Sequence, residues 1–174
     1  MMEEIKAAIR DVPDFPTPGI VFKDIAPILA DPGLFRAVID HFAERHRDAG
    51  IQVVAGVEAR GFIFGSALAY ALGIGFVPIR KKGKLPWQTV EASYDLEYGS
   101  ATIEVHADAV SPGARVLLFD DLLATGGTAA AAAGLIREIG GTVVEIDFLI
   151  ELAFLEGRKR LSDSPVYAPL VFQG

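Results

Sequence analysis

The chemistry of this chain is concentrated in Val116-Leu117-Leu118-Phe119-Asp120-Asp121-Leu122-Leu123-Ala124-Thr125-Gly126-Gly127-Thr128. An apolar strand is expected to end in two adjacent carboxylates, after which a Thr-Gly-Gly-Thr turn opens a helix. In an open parallel sheet, ligands bind beyond the carboxyl ends of the strands. The turn offers backbone N–H groups and the hydroxyls of Thr125 and Thr128 at a helix N-terminus, which is the chemistry of a phosphate site. Glycine lets the backbone approach such a group closely. The helix dipole contributes only about 0.3–1 kcal/mol, so hydrogen bonds must supply most of the binding. Asp120 and Asp121 suit vicinal hydroxyls, a positive charge or the shell of a Mg²⁺ ion.

A second group is cationic. Arg80, Lys81, Lys82 and Lys84 cluster in an otherwise acidic chain, and Arg60 stands between an apolar run and a helical one. A local positive site suits a polyphosphate. Other chemistries are disfavoured. The phosphate turn lacks the Gly-Lys-Ser/Thr ending of a Walker loop, and Gly73-x-Gly75 leads to Pro78 where a dinucleotide fingerprint needs glycine. His41 and His46 are five apart and do not share a helix face, which disfavours a helical zinc site; His106 stands alone. There is no cysteine, hence no disulfide, thiolate metal site or thiol nucleophile.

The elements that must position these residues follow from hydrophobic pattern. Residues 3–11 read as a short helix with Ile5, Ile9 and Val12 on one face. Prolines exclude regular structure over 13–19, and Ile20-Val21-Phe22 reads as extended. Asp31-Pro32 marks a helix start that continues towards Gly50. Apolar strands are expected at Val53–Val57, Phe76–Arg80, Arg115–Phe119 and Thr142–Ile150, with helices at Phe62–Leu72 and Gly127–Ile139. Strands without polar alternation, separated by helices, predict a parallel sheet covered on both faces. Residues 81–106 break the rhythm. Tyr94–Tyr98 and Ala101–His106 alternate around Gly99-Ser100 and predict a hairpin, an insertion expected near the ligand.

With 174 residues, 51% of them apolar, the chain reads as one domain spanning 1–174. A formal charge of -7 argues against general nucleic-acid or anionic-membrane binding. The start Met1-Met2-Glu3-Glu4-Ile5-Lys6 lacks the basic and apolar regions of a signal peptide. Gly61–Ile79 is uncharged and long enough to span a bilayer, but its glycines and Pro78 divide it into a buried helix and a buried strand.

Four apolar residues, two acids and Ala-Thr-Gly-Gly-Thr resemble the signature of the type I phosphoribosyltransferases. Further stretches resemble the adenine-using branch of that family: Asp14-Phe15-Pro16-Thr17-Pro18-Gly19-Ile20-Val21-Phe22-Lys23-Asp24-Ile25, Ala59-Arg60-Gly61-Phe62, Arg80-Lys81-Lys82-Gly83-Lys84-Leu85-Pro86 and Tyr94-Asp95-Leu96-Glu97-Tyr98-Gly99. The match runs in family order from about Phe15 to Arg158. It implies an α/β fold: a parallel β-sheet core flanked by helices, a small N-terminal hood over 1–30 and a β-hairpin flap over 81–106.

The resemblance also implies roles. Ala124, Thr125, Gly126, Gly127 and Thr128 would hold the 5′-phosphate of 5-phosphoribosyl 1-pyrophosphate, and Asp120 and Asp121 would face the ribose hydroxyls. Arg60, Arg80, Lys81 and Lys84 would bind pyrophosphate. Val21, Phe22 and Lys23 match the adenine pocket, with an aromatic face to stack on a purine. Lys23 stands where relatives carry arginine, which a main-chain contact tolerates and a forked side-chain contact does not. Glu97 in the flap would assist proton transfer from the base. Mg²⁺ would be carried mainly by the pyrophosphate, with no direct protein ligand. Transfer of the ribose phosphate to adenine would give AMP and pyrophosphate in purine salvage, in a cytoplasmic homodimer. The alternatives are another base, or a non-catalytic nucleotide-binding regulator of the same fold; the basic loop and Glu97 argue against the regulator. Trp87 lies in the most variable part of the flap, either as a contact between molecules or as a cover for the site.

Overall fold

The short apolar runs expected to be strands form the middle of the sheet. In the computed structural model, which describes residues 1–96 and 98–174, these strands are β3 (Val53–Val57), β4 (Gly75–Lys81), β7 (Arg115–Leu123) and β8 (Thr142–Leu152). Helix α4 (Arg60–Leu72) joins β3 to β4, and α5 (Gly127–Glu138) joins β7 to β8. The four strands pair in parallel in the order β8-β7-β3-β4. The short β9 (Val166–Tyr167) and β10 (Leu170–Phe172) add to the outer edge of β8, also in parallel. The pattern reading did not anticipate these two strands, because each is too short for its alternation to register.

The sheet has apolar layers on both faces, as unalternating strands require. One face packs Leu118, Val116 and Ile146 against Ala129, Ala132 and Ile136 of α5. The other packs Val54, Leu117 and Phe119 against Phe64 and Leu68 of α4 and against Val38 and Phe42 of α3 (Pro32–His46). Helix α3 starts as predicted: Asp31 Oδ1 accepts from the Gly33 and Leu34 amides at 2.8 and 2.9 Å. The histidines of α3 serve packing. His46 Nε2 lies 2.6 Å from Asp147 Oδ2 in β8, and His41 Nε2 lies 2.7 Å from the Tyr167 hydroxyl. No helix among the described residues is long and apolar enough to cross a membrane.

Several boundaries differ from the sequence reading for identifiable reasons. The first helix, α1 (Met2–Ala8), stops three residues early. Arg10–Pro13 forms β1 instead, antiparallel to β2 (Val21–Asp24), with Val12 opposite Phe22. Val12 precedes a proline and is biased away from helix, and the pairing supplies its backbone partners. A short α2 (Ala26–Ala30) follows. Strand β7 does not end before the acids. It runs through Asp120 and Asp121 to Leu123, held by β8 alongside, where Leu122 faces Ile150 and Leu123 faces Glu151. The hairpin is present, but its first strand lies earlier than the alternation suggested: β5 (Thr89–Asp95) stops before Leu96 instead of running to Tyr98, and it pairs with β6 (Ser100–His106) from Thr89 opposite His106 to Asp95 opposite Ser100. Because β6 also pairs antiparallel with β4, the sheet is mixed rather than wholly parallel.

Candidate active site

Strands β3, β4 and β7 present their carboxyl ends to one cavity of about 660 Å³, whose wall includes Glu58, Arg60, Lys81, Lys82, Tyr94, Asp120, Asp121 and Thr128. The Ala124–Thr128 turn continues from it. A smaller hollow of about 80 Å³ is lined by Ala124, Thr125, Gly126, Gly127 and Thr128. Gly126 is the N-cap of α5 at φ +84°, where a side chain would be strained. A Cβ there would also lie 2.5 Å from the carbonyl oxygen of Gly157. The turn is therefore shaped by the chain that returns after β8 as well as by its own residues.

The acid pair is held in place from three sides. Asp120 Oδ1 accepts from the Asp121 amide at 2.8 Å. Arg60 Nε pairs with Asp121 Oδ2 at 2.8 Å. Gly61 brings the first turn of α4 against Asp120, where an added Cβ would sit 3.0 Å from Oδ1. Burial pushes the Asp120 carboxyl well above the usual range, and the adjacent Asp121 charge pushes it further, against the pull of Arg60. Burial also raises Asp121, with Arg60 opposing. Two carboxylates at such a position favour a cationic or hydroxyl-bearing partner.

Arg60 joins the acids to the hood. Its guanidinium lies 4.9 Å from the centroid of the Phe22 ring, and Phe15 meets the same ring edge-on at 5.2 Å. Val21 is exposed. Lys23 points elsewhere: its Nζ pairs with Asp11 at 2.6 Å and lies 4.3 Å from the Phe172 ring centroid. Its side chain is thereby engaged away from the Arg60–Phe22 contact.

The basic cluster divides. Lys81 and Lys82 line the cavity, although Lys82 Nζ also pairs with Glu91 at 3.1 Å. Arg80 turns to Glu58, donating from Nε and Nη2 to Oε1 at 2.8 and 2.6 Å, and Lys84 is not part of the wall. Arg60 and Lys81 are thus the expected pyrophosphate residues that the fold brings to the acid pair. Glu97, the expected flap glutamate, lies outside the described residues.

Two further carboxylates shape this arm: Glu58, which the sequence reading did not single out, and Glu104, which it weighed only as a lesser alternative to Glu97 on the hairpin. Glu58 takes Arg80 through Oε1, and its Oε2 accepts from the Lys81 amide at 3.1 Å. Burial alone would raise its pKa; the Lys81 amide and Arg80 reverse this and hold it below the usual glutamate value. Glu104 is buried on β6. Its Oε1 accepts from the Leu85 and Gly83 amides at 3.0 and 3.1 Å, and its Oε2 from the Thr89 hydroxyl at 3.4 Å. Burial works against its charge, and those donors more than compensate, leaving its pKa lowered. Glu58 did carry a signal, since it directly precedes the Ala-Arg-Gly turn. Glu104 carried none, because its partners are 15 to 21 residues away.

A mixed α/β sheet whose parallel strands carry a Thr-Gly-Gly-Thr turn, an acid pair and a cationic arm at their carboxyl edge has the layout of a nucleotide-forming transferase. Residues 25–166 match the family profile described as the phosphoribosyl transferase domain, and the chain belongs to the phosphoribosyltransferase family. Within it, the chain is similar to adenine phosphoribosyltransferases. That of Solibacter usitatus is 55% identical over 98% of this chain and 99% of its own. That of Thermobifida fusca is 59% identical over 89% of this chain and 88% of its own. The crystal structure of the Thermoanaerobacter pseudethanolicus enzyme superposes with a TM-score of 0.96, at 50% identity, over 99% of this chain and 100% of that one. The Saccharomyces cerevisiae enzyme, solved with an imino-altritol bisphosphate and adenine, superposes at 0.93 and 44% identity over 97% and 98%.

Proposed function

We propose that this chain, working as one domain over 1–174, converts adenine and 5-phosphoribosyl 1-pyrophosphate to AMP and pyrophosphate. The observation that carries the reading is the single cavity that joins Thr128 of the phosphate turn, Asp120 and Asp121, and the cations Arg60 and Lys81. The roles follow from what each group offers. The Ala124–Thr128 turn holds the 5′-phosphate through backbone N–H groups and hydroxyls. Arg60 and Lys81 bind the pyrophosphate, and Arg80, fixed by Glu58, keeps the arm in shape with Lys84 beyond it. As the bond from C1′ to the pyrophosphate oxygen lengthens, the ribose becomes cationic, and Asp120 and Asp121 stabilise that charge as it develops. Adenine N9 forms the new bond to C1′, pyrophosphate leaves with the old electron pair, and the N9 proton passes to a base. Glu97 is the flap residue proposed for that step. Phe22 stacks on the adenine ring, and the main chain of Val21 and Lys23 reads its edge.

The donor set bears on Mg²⁺. Asp121 is engaged by Arg60 and Asp120 by an amide, so the acid pair by itself offers no cage for an octahedral ion. A Mg²⁺ ion carried by the pyrophosphate fits these residues, and it would supply charge neutralisation of the leaving group. The family resemblance supports a place in cytoplasmic purine salvage. It also supports a homodimer.

The test is pyrophosphate release from phosphoribosyl pyrophosphate and Mg²⁺ across a panel of bases. Release with adenine alone is expected. Release with another base would mean that the pocket around Phe22 selects a different base, and donor binding without release would support a regulator.

A further inference from the structure

We propose that Tyr94 is a positioning residue of the 5′-phosphate site, delivered to it by the flap hairpin; this rests on the phosphoribosyl reading above. Residues of β5 alternate between faces, and Val90, Ala92 and Tyr94 share the inner one, packed on the same core layer as α5. From there the Tyr94 hydroxyl accepts a hydrogen bond from Thr128 Oγ1 at 2.9 Å. Its ring lies along the turn itself, where a Cβ on Gly127 would sit 3.4 Å from Tyr94 Cδ2. Tyr94 also lines the cavity that holds the acid pair. One phenol therefore touches the phosphate turn, its flanking threonine and the reaction space.

The hydrogen count shows what this contact does. Thr128 has one hydroxyl proton, and here it goes to Tyr94. A phosphate in the turn is an acceptor only and would take that proton. The phenol has a proton of its own and can then donate to Thr128 Oγ1, which retains a lone pair for it. The bond between the two side chains survives with its direction reversed, and Thr128 stays aimed at the phosphate. Phosphate binding and the seating of the hairpin on α5 are thereby linked through two hydroxyl groups.

Tyr94→Phe keeps the ring against Gly127 and removes the hydroxyl. Loss of one such hydrogen bond corresponds to about 3- to 10-fold in affinity. Calorimetric titration with ribose 5-phosphate should show that loss for Y94F, while titration with pyrophosphate should show none. In a Thr128→Val background, Y94F should have no further effect on ribose 5-phosphate, because the partner is already gone. Equal affinity of wild type and Y94F for ribose 5-phosphate would overturn the inference. So would equal weakening for both ligands, which would mean that the ring merely supports the hairpin. If the wild-type protein binds pyrophosphate but no ribose 5-phosphate, the phosphate assignment of the turn fails, and this inference with it.

Discussion

Replacing Glu104 should damage the cationic arm of the site without touching any substrate. Its carboxylate is buried and organises residues 83–89 through the amides of Gly83 and Leu85 and the hydroxyl of Thr89. Hydrogen bonds to a charged acceptor are worth about 1.5–3 kcal/mol each, and the Thr89 contact is long enough to count for little. Gly83 is exposed and can turn to water. Glu104→Ala should therefore cost about 2–4 kcal/mol in urea unfolding, and Glu104→Gln, which keeps an acceptor oxygen, about 1–2 kcal/mol. The sign of the pH dependence follows from the lowered pKa. The contribution is present above the unfolded glutamate value of 4.5 and is lost as pH falls through the lower folded value. The gap between wild type and E104Q should thus close in acid. In steady-state kinetics, E104Q should raise KM for phosphoribosyl pyrophosphate, since Lys81 begins the loop that Glu104 orders, and leave KM for adenine little changed. Unaltered stability at neutral pH would refute the hydrogen-bond argument. Equal rises in both KM values would refute the link to the cationic arm.

Three other perturbations probe separate parts of the molecule. Phe22→Ala should raise KM for adenine by at least several-fold and that for the sugar donor far less, since the ring belongs to the hood; comparison of the two KM values checks this. Gly126→Ala should abolish donor binding and lower stability by at least about 1–2 kcal/mol from the left-handed backbone alone, with the contact to the Gly157 carbonyl adding to it; thermal unfolding and donor titration read both. Asp147 is fully buried, and burial, opposed by His46, raises its carboxyl from 3.8 to about 6. A raised carboxyl stabilises the fold below pH 4 and loses that contribution as pH rises to about 6, at most about 3 kcal/mol at roughly 1.4 kcal/mol per unit. Unfolding curves of Asp147→Asn and wild type should diverge across that window, with the variant relatively more stable at the higher pH; a constant difference would refute the assignment.

The amino-acid sequence by itself determined the local parts. Continuous apolar runs such as Val53–Val57 can only be strands covered on both faces, because no alternation leaves a wet side. Asp31-Pro32 starts a helix because cap and proline act within one turn. The acid pair, the Thr-Gly-Gly-Thr turn and the cations were likewise readable, since their chemistry lies in adjacent residues. Tertiary structure decided which of them act together. Arg60 and Asp121 are 61 positions apart and meet only because β3 and β7 are parallel neighbours. Arg80 turns from the cavity because Glu58 lies beside it across β3 and β4, and Lys23 is drawn off by Asp11 through the β1–β2 pairing. Glu104 reads only as a lesser alternative to Glu97, and Tyr94 as an ordinary hairpin residue, until β6 is set against the basic loop and β5 against α5. Pattern reports which face of an element is buried. Strand order and register decide what lies opposite that face, and those depend on contacts between residues far apart in the chain.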